Sequence, residues 1–382
     1  MIVRIALAYL VLVACGDNAQ PAVDASIDGP VDPVWPFELP SGLPVPRLPP
    51  NATLTAELAD LGRHLFYDVR LSGNGTQACS SCHEQARAFT DCKVTPMGST
   101  GQLLKRNAMS LTNVAYNPTQ TWANSVLVHL EQQAPVPMFG ENPVELGITG
   151  NEEVVLGRLR DEPRYASLFA NAFPDAAAPI SLANVVIALA AFERRMISGN
   201  SALDRARRGD LAAMSESAKR GEALFFSETL ECHHCHGGFN FTLAVDHAKL
   251  STPSVVFFNT GLYNVGGSGA YPDIDQGLYD LTNVPADRGR FRPPTLRNIA
   301  VTAPYMHDGS MATLDEVLRF YERGGRLIEI GENAGDGKAN PYKNAFVNGF
   351  ALSEQERADL LAFLESLTDD TFLADPVLAN PW

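Results

Sequence analysis

Apolar positions fall into helical registers along this chain. Val185, Leu189, Phe192 and Met196 lie three and four residues apart behind Ser181. That spacing predicts a helix with one buried face, and Ser181 is a good N-cap type. Ser353 and Glu356 carry a reciprocal capping pattern ahead of Leu360, Leu361, Leu364 and Leu367, which predicts a last helix over 353–367. Two further stretches resemble each other. Leu61-Gly62-Arg63-His64-Leu65-Phe66-Tyr67 and Arg220-Gly221-Glu222-Ala223-Leu224-Phe225-Phe226 each read as a helix with an aromatic end. Such an internal repeat predicts two copies of one structural unit. Strand patterns are sparse, so the expected fold is mainly α with long connections.

The ends of the chain divide differently. Arg4 precedes an apolar run, Ile5 to Ala14, too short to span a bilayer and of the kind found in signal peptides. Leu12-Val13-Ala14-Cys15 resembles a bacterial lipobox, which implies a leader over 1–15, lipid on Cys15 and a protein anchored on the periplasmic side by that lipid alone. Residues 16–50 are rich in Asp, Pro, Ala and Gly and are expected to form a disordered tether. The two repeat units are then assigned to 51–205 and 206–375. The helix behind Ser181 is expected to close the first near Arg205.

Composition limits the function. A length of 382 residues suits two domains plus a leader, and 45% hydrophobic residues can supply their cores. A formal charge of −15 argues against nucleic acid, whose binding needs a basic surface.

Cysteine placement carries the chemistry. Each repeat stretch leads into a Cys-x-x-Cys-His motif, Cys79-Ser80-Ser81-Cys82-His83 and Cys232-His233-His234-Cys235-His236. Two thiols can add across haem vinyl groups while the adjacent His binds iron. A zinc reading needs four ligands per site, and no further cysteine lies nearby. Two covalent haem c groups are therefore expected, on Cys79 and Cys82 and on Cys232 and Cys235, with His83 and His236 as axial ligands. Cys92 is left over and reads as a small buried apolar residue.

Other motifs resemble a known family. Arg106-Asn107-Ala108, Gln133-Ala134, Asn142-Pro143-Val144-Glu145, Pro294-Thr295-Leu296-Arg297-Asn298 and Thr302-Ala303-Pro304-Tyr305-Met306-His307-Asp308-Gly309-Ser310 are similar to those of the di-haem cytochrome c peroxidase and MauG superfamily. Thr121-Trp122-Ala123-Asn124 with Pro137-Met138-Phe139-Gly140-Glu141 most resembles its MbnH branch. That branch occurs beside the copper-binding protein MbnP and converts a tryptophan of that partner to kynurenine.

The resemblance assigns roles. Tyr321, fourteen residues after His307, stands where many members place a Met ligand and MauG places a Tyr. It implies a His236/Tyr321 haem suited to holding an oxidising equivalent, with Met306 and Met311 as rivals off the family position. Residues 95–106 contain no His, so the first haem is expected to be open opposite His83. His129 reads as an ordinary helical histidine. Glu145 matches the family's acid/base, although a loop two residues longer leaves Glu141 as a rival. Gln133 and Pro137 match residues shaping that site. Trp122 matches the inter-haem tryptophan, but Ala-Asn-Ser follows it where Asp-Gly-Arg is usual. Trp35 and Trp382 lie in the tether and at the terminus. Asn107, Thr302 and Pro304 match ligands of an inter-domain Ca2+, an ion that favours oxygen donors.

Three readings follow. The first is a MauG-like enzyme that uses hydrogen peroxide to oxidise a partner protein, by resemblance a tryptophan of an MbnP-like one. The second is a cytochrome c peroxidase fed by a small cytochrome. The third is a non-enzymatic electron-transfer cytochrome.

Overall fold

The computed structural model describes residues 34–50 and 52–382. The leader, Cys15 and the first part of the expected tether lie outside the described residues. Seven described helices reach ten residues or more: α1 Ala56–Phe66, α2 Glu152–Asp161, α3 Pro163–Ala172, α4 Leu182–Arg194, α5 Glu216–Phe225, α6 Leu314–Arg323 and α7 Glu354–Glu365. One two-residue ladder, Leu327–Ile328 against Gly335–Asp336, is antiparallel. The mainly helical expectation holds. No described helix is long and apolar enough to cross a membrane.

The internal repeat is a repeated helix crossing. α1 packs on α4, and α5 packs on α7. A Cβ on Gly62 would lie 1.8 Å from the Ala188 carbonyl oxygen, and one on Gly221 would lie 1.9 Å from that of Asp359. Only glycine lets the two backbones approach this closely. One turn further on, Phe66 meets Phe192 with ring centroids 5.2 Å apart, and Phe225 meets Phe363 at 5.1 Å. Burying each phenylalanine contributes about 1.5–3 kcal/mol. Caps fix the helix starts. Ser181 Oγ accepts from Asn184 N, and Ser353 and Glu356 cap each other as predicted.

A second echo lies after each haem motif. Asn113 and Asn298 both take left-handed φ, at 57° and 62°, and each opens a 3-10 turn. Their side chains are buried where the halves meet. Asn113 donates to Asn240 Oδ1 (2.9 Å) and accepts from Ser198 N (2.7 Å). Asn298 donates to Ser198 Oγ and accepts from Asp369 N (2.8 Å).

Three boundaries differ from expectation. α4 stops at Arg194, and the first unit ends near Gly199, because Ser201 caps a new helix, Ala202–Arg207, whose Leu203 joins the second core. Asp204 of that helix pairs with Arg297 of the second unit at 2.7 Å. Residues 34–50 are packed rather than tethered. Trp35, Phe37 and Leu48 join a cluster with Leu54, Leu58 and Ala191, and Arg195 covers Phe37 at 4.6 Å. Arg47 pairs with Asp246 on the second unit (3.0 Å). Trp35 and Phe37 at its start and Leu48 near its end give this segment surface to bury, which its Pro content hid. Finally, the end of the chain returns to the first unit. Phe372 and Leu378 are buried in the first core, and Tyr67 donates to the Leu378 carbonyl (2.8 Å).

Candidate haem sites

Each Cys-x-x-Cys-His motif stands at the mouth of its own cavity. The cavity beside Cys79, Cys82 and His83 measures about 470 Å3. The one beside Cys232, Cys235 and His236 measures about 230 Å3. None of the four cysteines is joined to another in a disulfide. Burial pushes Cys82 and Cys235 up to about 11 and Cys232 to about 12, with Cys79 raised further. Such thiols are not activated nucleophiles. His83 Nδ1 bonds the Phe89 carbonyl at 2.7 Å, and His236 Nδ1 bonds the Phe241 carbonyl at 3.1 Å. Both bonds place the proton on Nδ1 and leave Nε2 as a free electron pair. Burial also keeps these rings neutral, lowering His83 and taking His236 to about 4.

The first cavity gathers the expected residues. Gln133 ends the short helix Leu130–Gln133, and Pro137 lies in the next, Pro135–Phe139. The following loop folds back, with Leu146 N bonding the Pro137 carbonyl (2.9 Å) and Ser99 N bonding that of Glu145 (2.7 Å). Gln133, Pro137, Glu141 and Glu145 all line the cavity, and His83 is the one histidine among its described lining residues. Burial raises the Glu145 carboxyl above its usual range, whereas Glu141 is exposed. His129 does not line the cavity.

The second cavity places Tyr321 on α6 beside His236. Burial is the first cause that raises its phenol, with Cys235 and Cys232 adding to it. Met306 also lines this cavity. Met311 does not, and packs in the core with Tyr305 and Phe320.

Six residues line both cavities, among them Asn107, Trp122 and Arg292. Trp122 Nε1 donates to the Asn107 carbonyl (2.9 Å), and its own carbonyl accepts from Arg292 N (2.8 Å). Asn107 Nδ2 donates to Lys93 and Val94 carbonyls (2.9 and 3.3 Å), which turns its Oδ1 the other way. Thr302 and Pro304 line the second cavity together with Asn107.

Sequence reasoning missed two buried charges. Arg292 is 3% exposed, and its guanidinium bonds the Thr121 carbonyl, Asn117 Oδ1 and Met109 Sδ, with no carboxylate partner among the described residues. Burial lowers it to about 10. A buried cation without a counter-charge costs several kcal/mol. Glu193 lies beside the first cavity with Oε2 unpartnered, and burial pushes its carboxyl up to about 8. In the sequence, Phe-Glu-Arg-Arg reads as a solvated helix end. The signal lay in its position four residues after Leu189, on the buried stripe. Cys92, expected in the core, is exposed because Asp91 caps Lys93 N and turns the thiol outward.

These residues fit haem c. Paired thiols, a neutral imidazole with a free Nε2 and an adjoining cavity occur twice. The Arg292 guanidinium, which has no carboxylate partner among the described residues, suits haem carboxylates.

The chain belongs to the di-haem cytochrome c peroxidase and MauG family and is a haem-dependent oxidoreductase acting on peroxide. The family described as di-haem cytochrome c peroxidase matches residues 56–212. The cytochrome-c peroxidase IdrP1 of Denitromonas iodatirespirans is 35% identical, over 99% of this chain and 97% of its own. MauG of Methylorubrum extorquens, a methylamine utilization protein, is 32% identical over 87% and 83%. Among solved structures, a MauG-like protein associated with microbial copper homeostasis is 47% identical, with a TM-score of 0.89 over 91% of this chain and all of that one.

Proposed function

We propose that this protein is a MauG-like peroxidase that oxidises a partner protein at long range, its target a tryptophan of a copper-binding protein similar to MbnP. The observation that carries this reading is Tyr321 facing the second cavity beside His236, with Trp122 bordering both cavities. Likeness to a protein associated with copper homeostasis supports the choice of partner.

Haem c bound through Cys79 and Cys82 and through Cys232 and Cys235 would supply the redox chemistry with peroxide. The rest is done by side chains. His83 and His236 offer iron a neutral Nε2. Glu145 moves a proton between the peroxide oxygens, its carboxyl raised by burial and so readier to hold one. Gln133 and Pro137 shape the space around it. Tyr321 offers a phenolic oxygen, a harder donor than a thioether, to the second iron. Trp122 offers an indole as relay between the two sites. Asn107 Oδ1 and the Thr302 and Pro304 carbonyls would hold Ca2+ between the units. The leader and Cys15 deliver the protein to the periplasmic side as a lipoprotein.

One equivalent of hydrogen peroxide added to the oxidised holoprotein is expected to change the spectra of both haems. Mass spectrometry of the co-incubated partner then shows an oxidised tryptophan. A change confined to one haem sinks the mechanism. The second reading, a cytochrome c peroxidase, is favoured by Met306 at the second cavity and by the 35% identical relative. Rapid turnover with reduced cytochrome c and a Met-ligated spectrum would establish it.

A further inference from the structure

The two haem motifs differ at their free positions. The first holds Ser80 and Ser81, the second His233 and His234. Attachment of haem constrains the cysteines and the last histidine, not the residues between. The two histidines share a carboxylate. His233 Nε2 lies 3.6 Å from one oxygen of Glu228, and His234 Nε2 lies 3.5 Å from the other. These separations exceed those of a good charge-assisted hydrogen bond. They are close to what a metal ion imposes, since bonds of about 2.0–2.1 Å at tetrahedral angles set ligand atoms roughly 3.3–3.4 Å apart. All three ligand atoms lie within 4.8 Å of one another.

The surroundings hold this arrangement. The His233 and His234 ring centroids are 4.2 Å apart, and His234 lies flat on Phe346 at 4.2 Å with planes 3° apart. Glu231 Oε2 lies 2.7 Å from His234 Nε2, at ion-pair distance, and steadies that ring from the other side.

We propose that Glu228, His233 and His234 form a surface site for one divalent transition-metal ion, beside the second haem motif. Two imidazole nitrogens with carboxylate oxygens suit Cu2+ and Zn2+, and Cu2+ binds such donors more tightly. Calcium and magnesium, which take oxygen ligands, are disfavoured.

Chelator-washed holoprotein titrated with CuCl2 tests this. The expected result is one Cu2+ per chain, with nitrogen superhyperfine structure in its electron paramagnetic resonance signal and displacement by excess Zn2+. The double variant His233→Asn/His234→Asn is expected to lose that signal. Glu228→Gln, at an exposed position, is expected to weaken binding with haem content unchanged, which keeps the test sound if the double variant matures poorly. Undiminished uptake by Glu228→Gln together with the double variant, or no uptake by the wild-type protein, overturns the proposal. None of these readouts depends on peroxide or on a partner protein.

Discussion

Single side chains decide the division of labour between the cavities. Glu145 and Glu141 both border the first; burial raises the Glu145 carboxyl, whereas the Glu141 side chain is exposed. Glu145→Gln is expected to slow the reaction with peroxide by about 100-fold or more, the usual scale for losing an acid/base group. Glu141→Gln should leave the rate near that of wild type, as stopped-flow absorbance would show. Glu193 makes a second case. Its folded carboxyl stands at about 8 against an ordinary 4.5, so the folded state binds the proton more tightly. Its contribution is fully present below pH 4.5 and is lost as pH rises through 8. Glu193→Gln removes that loss. Its melting temperature relative to wild type should therefore be higher at pH 8 than at pH 5, by a margin that calorimetry reads directly.

At the scale of elements, the helix crossings set each haem motif in place. Gly62 and Gly221 abut backbone oxygens that cannot move without breaking a helix. Gly221→Val is expected to prevent stable folding of the second unit, seen as lost soluble holoprotein. Ser353→Ala only uncaps α7 and should cost about 1 kcal/mol, measured by denaturant unfolding. These elements were legible in the sequence because their signals are local. Caps, helical stripes and the repeated glycine-aromatic pattern each lie within one turn or two. The motif spacing made both haem sites legible for the same reason. Arg292 and Glu193 were not legible, because each is a charge whose burial depends on packing by residues far along the chain. The ladder at Leu327–Ile328 was too short to leave a pattern.

At the scale of the whole molecule, the ends of the described chain cross over. Residues 34–50 reach Asp246 on the second unit, while Phe372 and Leu378 fill the first core. Neither contact was foreseen, since both ends look like extensions of a domain rather than parts of it. Removing residues 376–382 takes Leu378 from the first core and Trp382 from His64, Arg70 and Arg164. Loss of one fully buried leucine alone is worth about 2–5 kcal/mol. The truncated holoprotein should melt at a lower temperature, and the first haem's spectrum should change ahead of the second's on heating.

That returning tail also sets an order of assembly. A chain made from its N-terminus supplies Phe372 and Leu378 only after the helices of the second unit. Until they arrive, the first core has a gap beside Phe89, whose ring Phe372 covers at 5.7 Å and whose carbonyl orients His83. The first unit therefore stays loose, with Cys79 and Cys82 within reach of whatever attaches haem, until the second unit has been made.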